Sequence, residues 1–225
     1  MSVVARALAY PYERPAERDG SGPPPDADGR TALLAIGANA SPQALAAKLG
    51  DERDVPSAHA WLAGFDVVYS AHFAPYGAIP ATLQHSPGTE VDVRMLWVTD
   101  RELEALHPTE GNYRFGRLEG IELRLSDGTR LDATHAYLSR HGCMRLDGEE
   151  VSLAAVPARR RRLPALDQRA ALERARSLLA PDRDLAAFVA EHVDDAELRA
   201  RRSARLAAGA SRLRWPAFAE ESAPC

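Results

Sequence analysis

The hydrophobic pattern of this chain changes once, near Pro164, and that change limits the folds open to it. Before it, short apolar runs are separated by turn residues, and several alternate with a period of two. After it, alanine, leucine, arginine and glutamate recur at helical spacing. The order is therefore a mostly β body followed by helices, an α+β class of fold. With 225 residues, 45% of them apolar and 27% charged, the body is long enough to bury a core.

Within the body, Thr31–Ile36 is a buried strand ended by Gly37. Ser41-Pro42 then starts a helix over Pro42–Leu49, with Ser41 at the N-cap, Pro42 in the first turn and Gly50 after the end. Phe65–Phe73 alternates as a second strand. Gly77–Leu83 reads as a loop or short strand broken by Pro80, and Pro87-Gly88 reads as a turn before a third strand, Val91–Val98. Thr99 and Glu102 have the spacing of a capping box for a short helix through Leu106. Leu118–Leu125 and Arg130–Leu138 flank Ser126-Asp127-Gly128-Thr129, a hairpin signature. Beyond Pro164, helices are expected over Gln168–Leu179 and Asp184–Ala208, separated by Pro181. Leu185, Phe188, Val189, Val193 and Leu198 form a stripe expected to pack on the body or on a second copy of the chain, giving a homodimer.

Residues 1–30 read as a flexible extension. Asp19–Asp26 is rich in Pro and Gly, while Leu8-Ala9-Tyr10-Pro11-Tyr12 is aromatic enough to dock as a latch. The net charge of −4 argues against nucleic-acid partners, and no apolar run is long enough for a membrane span. Two cysteines, Cys143 and Cys225, give no disulfide framework and fit a reducing, cytoplasmic setting. His135, His141 and Cys143 match no common zinc spacing, so no metal or other cofactor is expected. Arg159–Arg162 reads as a solvated linker. Arginine is the cation almost everywhere, and Lys48 is the sole lysine.

Three segments carry residues with chemical potential. In Ile36-Gly37-Ala38-Asn39-Ala40-Ser41-Pro42, a glycine loop enters a helix and presents main-chain N–H groups able to hold a carboxylate or oxyanion, although a capped turn has the same pattern. In Leu106-His107-Pro108-Thr109-Glu110-Gly111-Asn112-Tyr113, Glu110 follows a short helix, and a partly buried glutamate there can take and return a proton; an ordinary loop glutamate is the alternative. Phe73–Leu83, with Tyr76, is apolar and proline-punctuated, suited to walling a pocket or to covering the core.

In this order the three segments resemble the gamma-glutamylcyclotransferase family over roughly residues 31–140. Ile36-Gly37-Ala38-Asn39 is similar to its Tyr-Gly-Ser-Asn loop, Ile79-Pro80-Ala81-Thr82 to its Pro-Ala segment, and Leu106–Tyr113 to the element that carries its catalytic glutamate. Ile36, Ala38 and His107 stand where that pattern has tyrosine, serine and aspartate. The resemblance implies a small mixed β-barrel with flanking helices over 31–163, preceded by the extension and followed by a helical extension over 164–225. It implies an intramolecular acyl transfer on a small γ-glutamyl amine or peptide that releases 5-oxoproline without a cofactor. Glu110 would be the general acid/base, and Gly37, Ala38 and Asn39 would orient the substrate, with Tyr76 and Tyr113 lining the cavity. A non-catalytic ligand-binding module, or an interaction protein working through the C-terminal helices, are the competing readings.

Overall fold

In the computed structural model, residues 1–14, 22–24, 26–50 and 55–221 are described. Part of the Asp19–Asp26 stretch, and Cys225, lie outside them.

Five strands make the body: β1 (Thr31–Ala35), β2 (Ser57–Tyr69), β3 (Ala81–Val98), β4 (Tyr113–Leu125) and β5 (Arg130–Ser139). They pair around a ring. β2 and β3 are antiparallel, as are β3 and β1, while β1 and β5 are parallel. β5 and β4 form the expected hairpin, and β4 returns to β2 through Ala60↔Leu125 to Ala63↔Glu122, closing the barrel. Closure gives every main strand two neighbours, although β2 covers only Glu122–Leu125 of β4 and leaves the earlier part of that strand as an edge. The inward faces supply Leu62, Val67, Leu83, Val93, Met95, Leu118 and Leu123, all fully buried.

The Pro87-Gly88 turn expected from sequence is a bulge within one long strand. Ala63 pairs with Glu90 and Phe65 with His85, so Ser86–Thr89 are extruded from the ladder opposite Gly64. Proline lacks the N–H a ladder needs, and Gly64 and Gly88 have φ of 78° and 85°, so the pairing absorbs the irregularity and continues. β2 also begins eight residues before the expected strand, at Ser57 rather than Phe65.

The N-terminal segment differs from a flexible extension over its first fourteen residues. Val3–Leu8 forms helix α1, with Ala7 fully buried and Tyr10 nearly so. Arg14 pairs with Asp92 at 2.6 Å.

Two further helices lie outside β1. α2 (Pro42–Leu49) begins behind Ser41 and ends at Gly50, whose φ is 92°. Ser41 makes no capping bond, and its hydroxyl is buried without a partner among the described residues. α3 (Asp100–Leu106) has the full capping box, with Thr99 and Glu102 bonded reciprocally. α2 and α3 share a second core of Leu45, Leu49, Leu103 and Leu106 with Leu33, Leu96 and Val98.

The C-terminal part adds α4 (Gln168–Leu179), α5 (Leu185–Asp194) and α6 (Ala196–Ala208), with α1 packed against α4 and α5. The single helix expected over Asp184–Ala208 is two, because Asp195 leaves helical dihedrals (φ −123°, ψ 100°) and caps α6 with its side chain. Ala171, Leu172, Phe188, Val189 and Leu206 belong to the same core as the barrel. Full burial of a side chain such as Phe188 contributes about 1.5–3 kcal/mol. These helices are thus an integral layer of the fold. After them, Phe218–Glu220 adds a short strand to β4 that the sequence reading did not find.

Arg159–Arg162 is solvated at Arg159, Arg160 and Arg162, as expected, but it is anchored to the barrel rather than a free linker. Arg161 bonds the fully buried Asp66, Arg159 lies 3.9 Å from the Trp61 ring centroid, and Arg160 pairs with Glu90. A buried carboxylate needs such a partner, and Arg161 meets it. Among the described residues, no helix is long and apolar enough to cross a membrane.

Candidate active site

The end of the barrel where β1 and β5 finish and β3 and β4 begin opens into a cavity of about 440 Å³. Gly37, Ala38, Asn39, Tyr76, Glu110 and Tyr113 all line it, so the residues singled out from sequence are brought together in one place. Packing of α2 against α3 decides the centre of the site. The last turn of α2 holds Lys48, and the short 3-10 turn His107–Glu110 after α3 holds Glu110.

Glu110 is 8% exposed. Its Oε1 accepts a hydrogen bond from Lys48 Nζ at 2.6 Å and another from Asn39 Nδ2 at 3.1 Å. Lys48 Nζ also donates to Asn39 Oδ1 at 2.8 Å, closing a three-membered polar network. Among the described residues no hydrogen bond is made to Oε2. The carboxylate is therefore fixed through Oε1. Asn39 contributes here through its side chain rather than its main chain.

Tyr10 reaches the opposite side of the loop. Its hydroxyl accepts the Ala81 N–H at 2.7 Å, and the Ala38 backbone faces the same oxygen. A Cβ on residue 37 would collide with that hydroxyl and force it to shift. Tyr113 donates its O–H to Ala81 O at 3.0 Å. Burial raises the phenols of Tyr10, Tyr76 and Tyr113 above their ordinary range, with Glu110 adding to each, so all three are neutral donors. Tyr12 and Tyr76 pack on Tyr10, and the Arg6 guanidinium carbon sits 5.5 Å from the Tyr76 ring centroid.

On the floor, His72 is buried and its imidazole is pushed down to about 3 by desolvation and by neighbouring His141. Its Nδ1 pairs with Ser70 Oγ at 2.6 Å. It is a neutral wall residue. Cys143 is buried away from the cavity lining, its thiol pushed up to about 12 mainly by burial; a raised thiol is a poor nucleophile. No group of three or more potential metal ligands occurs among the described residues.

Lys48, Arg6, Tyr12 and Tyr137 also line the cavity and were not identified as site residues from sequence. Lys48 left one signal: it is the single lysine in a chain that otherwise uses arginine. An arginine fork would not substitute freely for a compact ammonium in so tight a contact.

No protein-family model matches the sequence, and no curated protein does. Similar solved structures include one titled gamma-glutamyl cyclotransferase, 14% identical over 83% of this chain and 90% of that one, with a TM-score of 0.40. An uncharacterised protein from Homo sapiens is 14% identical over 78% and 88%, with a TM-score of 0.41. A protein from Arabidopsis thaliana, solved in solution, is 23% identical over 50% and 70%, with a TM-score of 0.40. The architecture implied by the sequence resemblance, an α+β barrel with flanking helices, is the one this chain adopts.

Proposed function

We propose that the chain is a gamma-glutamylcyclotransferase-like enzyme that releases 5-oxoproline from a small γ-glutamyl amine or peptide. The observation that carries this reading is Glu110, buried at the cavity wall with Oε1 held by Lys48 and Asn39 and with no hydrogen bond to Oε2 among the described residues. A γ-glutamyl group carries its own nucleophile, the α-amine, which must lose a proton before it can attack the γ-carbonyl. Glu110 Oε2 accepts that proton as the C–N bond forms, then returns one to the departing nitrogen as the old C–N bond breaks. Atoms and charge balance with no external reactant. The ring-closing attack is intramolecular, so the walls of Tyr76, Tyr113 and Pro80 act by selecting the folded conformer.

The developing oxyanion needs a donor. Tyr10 accepts the Ala81 N–H, which polarises its own O–H and makes it a better donor toward the cavity. In this reading the tyrosine from the N-terminal segment supplies a hydroxyl that Ile36 and Ala38 do not.

The test is release of 5-oxoproline from a panel of γ-glutamyl amines and dipeptides. Wild-type turnover with at least one of them, reduced about 10²–10⁴-fold in Glu110→Gln at unchanged melting temperature, is the expected result. Full activity in Glu110→Gln would remove the assignment of the base. A second reading, a non-catalytic binding module, is favoured by the Tyr10 hydroxyl lying against Gly37 and the Ala38 backbone. It predicts a ligand-induced rise in melting temperature with no product from any member of the panel.

A further inference from the structure

Among the described residues, two cationic side chains line the cavity, and they differ in how they are engaged. Lys48 Nζ is bonded to both Glu110 and Asn39. Diverting it to a ligand would strip a buried carboxylate of its partner. Arg6 makes no ion pair among the described residues, yet it is held in place at the cavity. Although exposed, it rides on α1 beside the fully buried Ala7 and lies over the Tyr76 ring at 5.5 Å from its centroid. Ser2 caps the helix before it, and Arg14 ties the end of the segment to Asp92.

The main-chain donors of the glycine loop are no substitute. The Tyr10 hydroxyl, anchored by the Ala81 N–H on β3, lies against the Ala38 backbone and fills the space that a Cβ on residue 37 would enter. A substrate carboxylate cannot share that space. We propose that Arg6 binds the α-carboxylate of the γ-glutamyl substrate, so that the N-terminal segment is a wall of the active site and imposes a requirement for a free carboxylate. This rests on the reaction proposed above. A guanidinium fork matches a carboxylate with two parallel hydrogen bonds, and the aromatic face of Tyr76 orients the fork without neutralising it. The carboxylate at Arg6 and the amine at Glu110 then fix the two ends of the same α-carbon.

The experiment uses the full chain as wild type, Arg6→Lys and Arg6→Gln. Calorimetry measures binding of 5-oxoproline and of its carboxamide, and kinetics compare γ-glutamyl anilide with its α-carboxamide analogue. Arg6→Gln should weaken 5-oxoproline binding and raise KM for the acid by about tenfold or more, with kcat changed by no more than about twofold. The carboxamides should change by less than about twofold, and Arg6→Lys should fall between. Wild-type affinity for 5-oxoproline in Arg6→Gln overturns the assignment, as do equal losses for acid and carboxamide, or no wild-type binding of 5-oxoproline. An Arg6-dependent preference for the acid in binding, with no turnover of any γ-glutamyl compound, would instead retain the carboxylate anchor and remove the reaction.

Discussion

Lys48 Nζ lies 2.6 Å from Glu110 Oε1, with the two residues carried by separate elements packed outside β1. Glu110 is 8% exposed, so removing its partner leaves a mostly buried carboxylate. Lys48→Met should lower stability by about 1–3 kcal/mol and reduce turnover along with it. Lys48→Met combined with Glu110→Gln should recover much of the stability, because the orphaned charge is gone. Denaturant unfolding of wild type, both single variants and the double variant gives the coupling. Strictly additive losses would mean the pair is not an energetic unit.

Tyr10 and Gly37 form a second unit. Gly37→Ala should cost about 1–3 kcal/mol, since its Cβ would press on the Tyr10 hydroxyl. Tyr10→Phe should cost about 1 kcal/mol through the Ala81 N–H left without its acceptor. When Tyr10→Phe is already present, Gly37→Ala should cost less, since the closest remaining atoms, the Tyr10 ring carbon and Ala81 Cβ, both lie at 3.4 Å. Thermal unfolding of the single and double variants checks this, and additivity would show that the two residues do not meet.

Acid should weaken the fold through buried histidines. His192 is fully buried, stacks on Phe73 at 3.9 Å, and neither ring nitrogen has a hydrogen-bond partner among the described residues. Burial first, then Arg202 and Arg199, push it down to about 3, and His72 stands at a similar value. Unfolded histidine protonates near 6.5, so between pH 6.5 and about 3 the unfolded chain binds more protons. Stability is complete above pH 6.5 and falls below it, by up to about 1.4 kcal/mol per pH unit for each histidine. His192→Leu should be no less stable at neutral pH and should show a shallower acid slope. An unchanged slope in denaturant melts from about pH 7 to 4 would sink this.

Truncation after residue 163 should prevent folding of the barrel. Phe188 packs edge-on against Phe73 at 5.6 Å, and Ser203 Oγ accepts the buried Phe73 N–H at 3.0 Å. Removing α4 to α6 exposes one side of the core. A soluble, cooperatively melting 1–163 fragment would show that the helices are dispensable.

Local physics was written plainly enough to read. The Thr99/Glu102 capping box, the Asp127-Gly128 hairpin turn and the Pro42–Leu49 helix depend on residues within a few positions of one another, and each is present as expected. The errors lie where distant partners override a local signal. Pro87-Gly88 is a turn by composition, but pairing with β2 on both sides carries the strand through it as a bulge. Asp195 breaks a periodic helix because its side chain caps the next one. The short strand Phe218–Glu220 exists only because β4 offers it an edge.

The sequence by itself determined the class of fold and most of the candidate residues, since periodicity and capping are short-range and Glu110 and the Gly37 loop stand out by type. Only the tertiary structure decided what surrounds them. Arg6 and Tyr10 belong to the far end of the chain from Glu110, and Lys48 lies on another helix, yet all line one cavity. No spacing rule spans such distances: barrel closure and the packing of α1, α2 and α3 bring these side chains together, and those depend on the summed burial of residues throughout the chain.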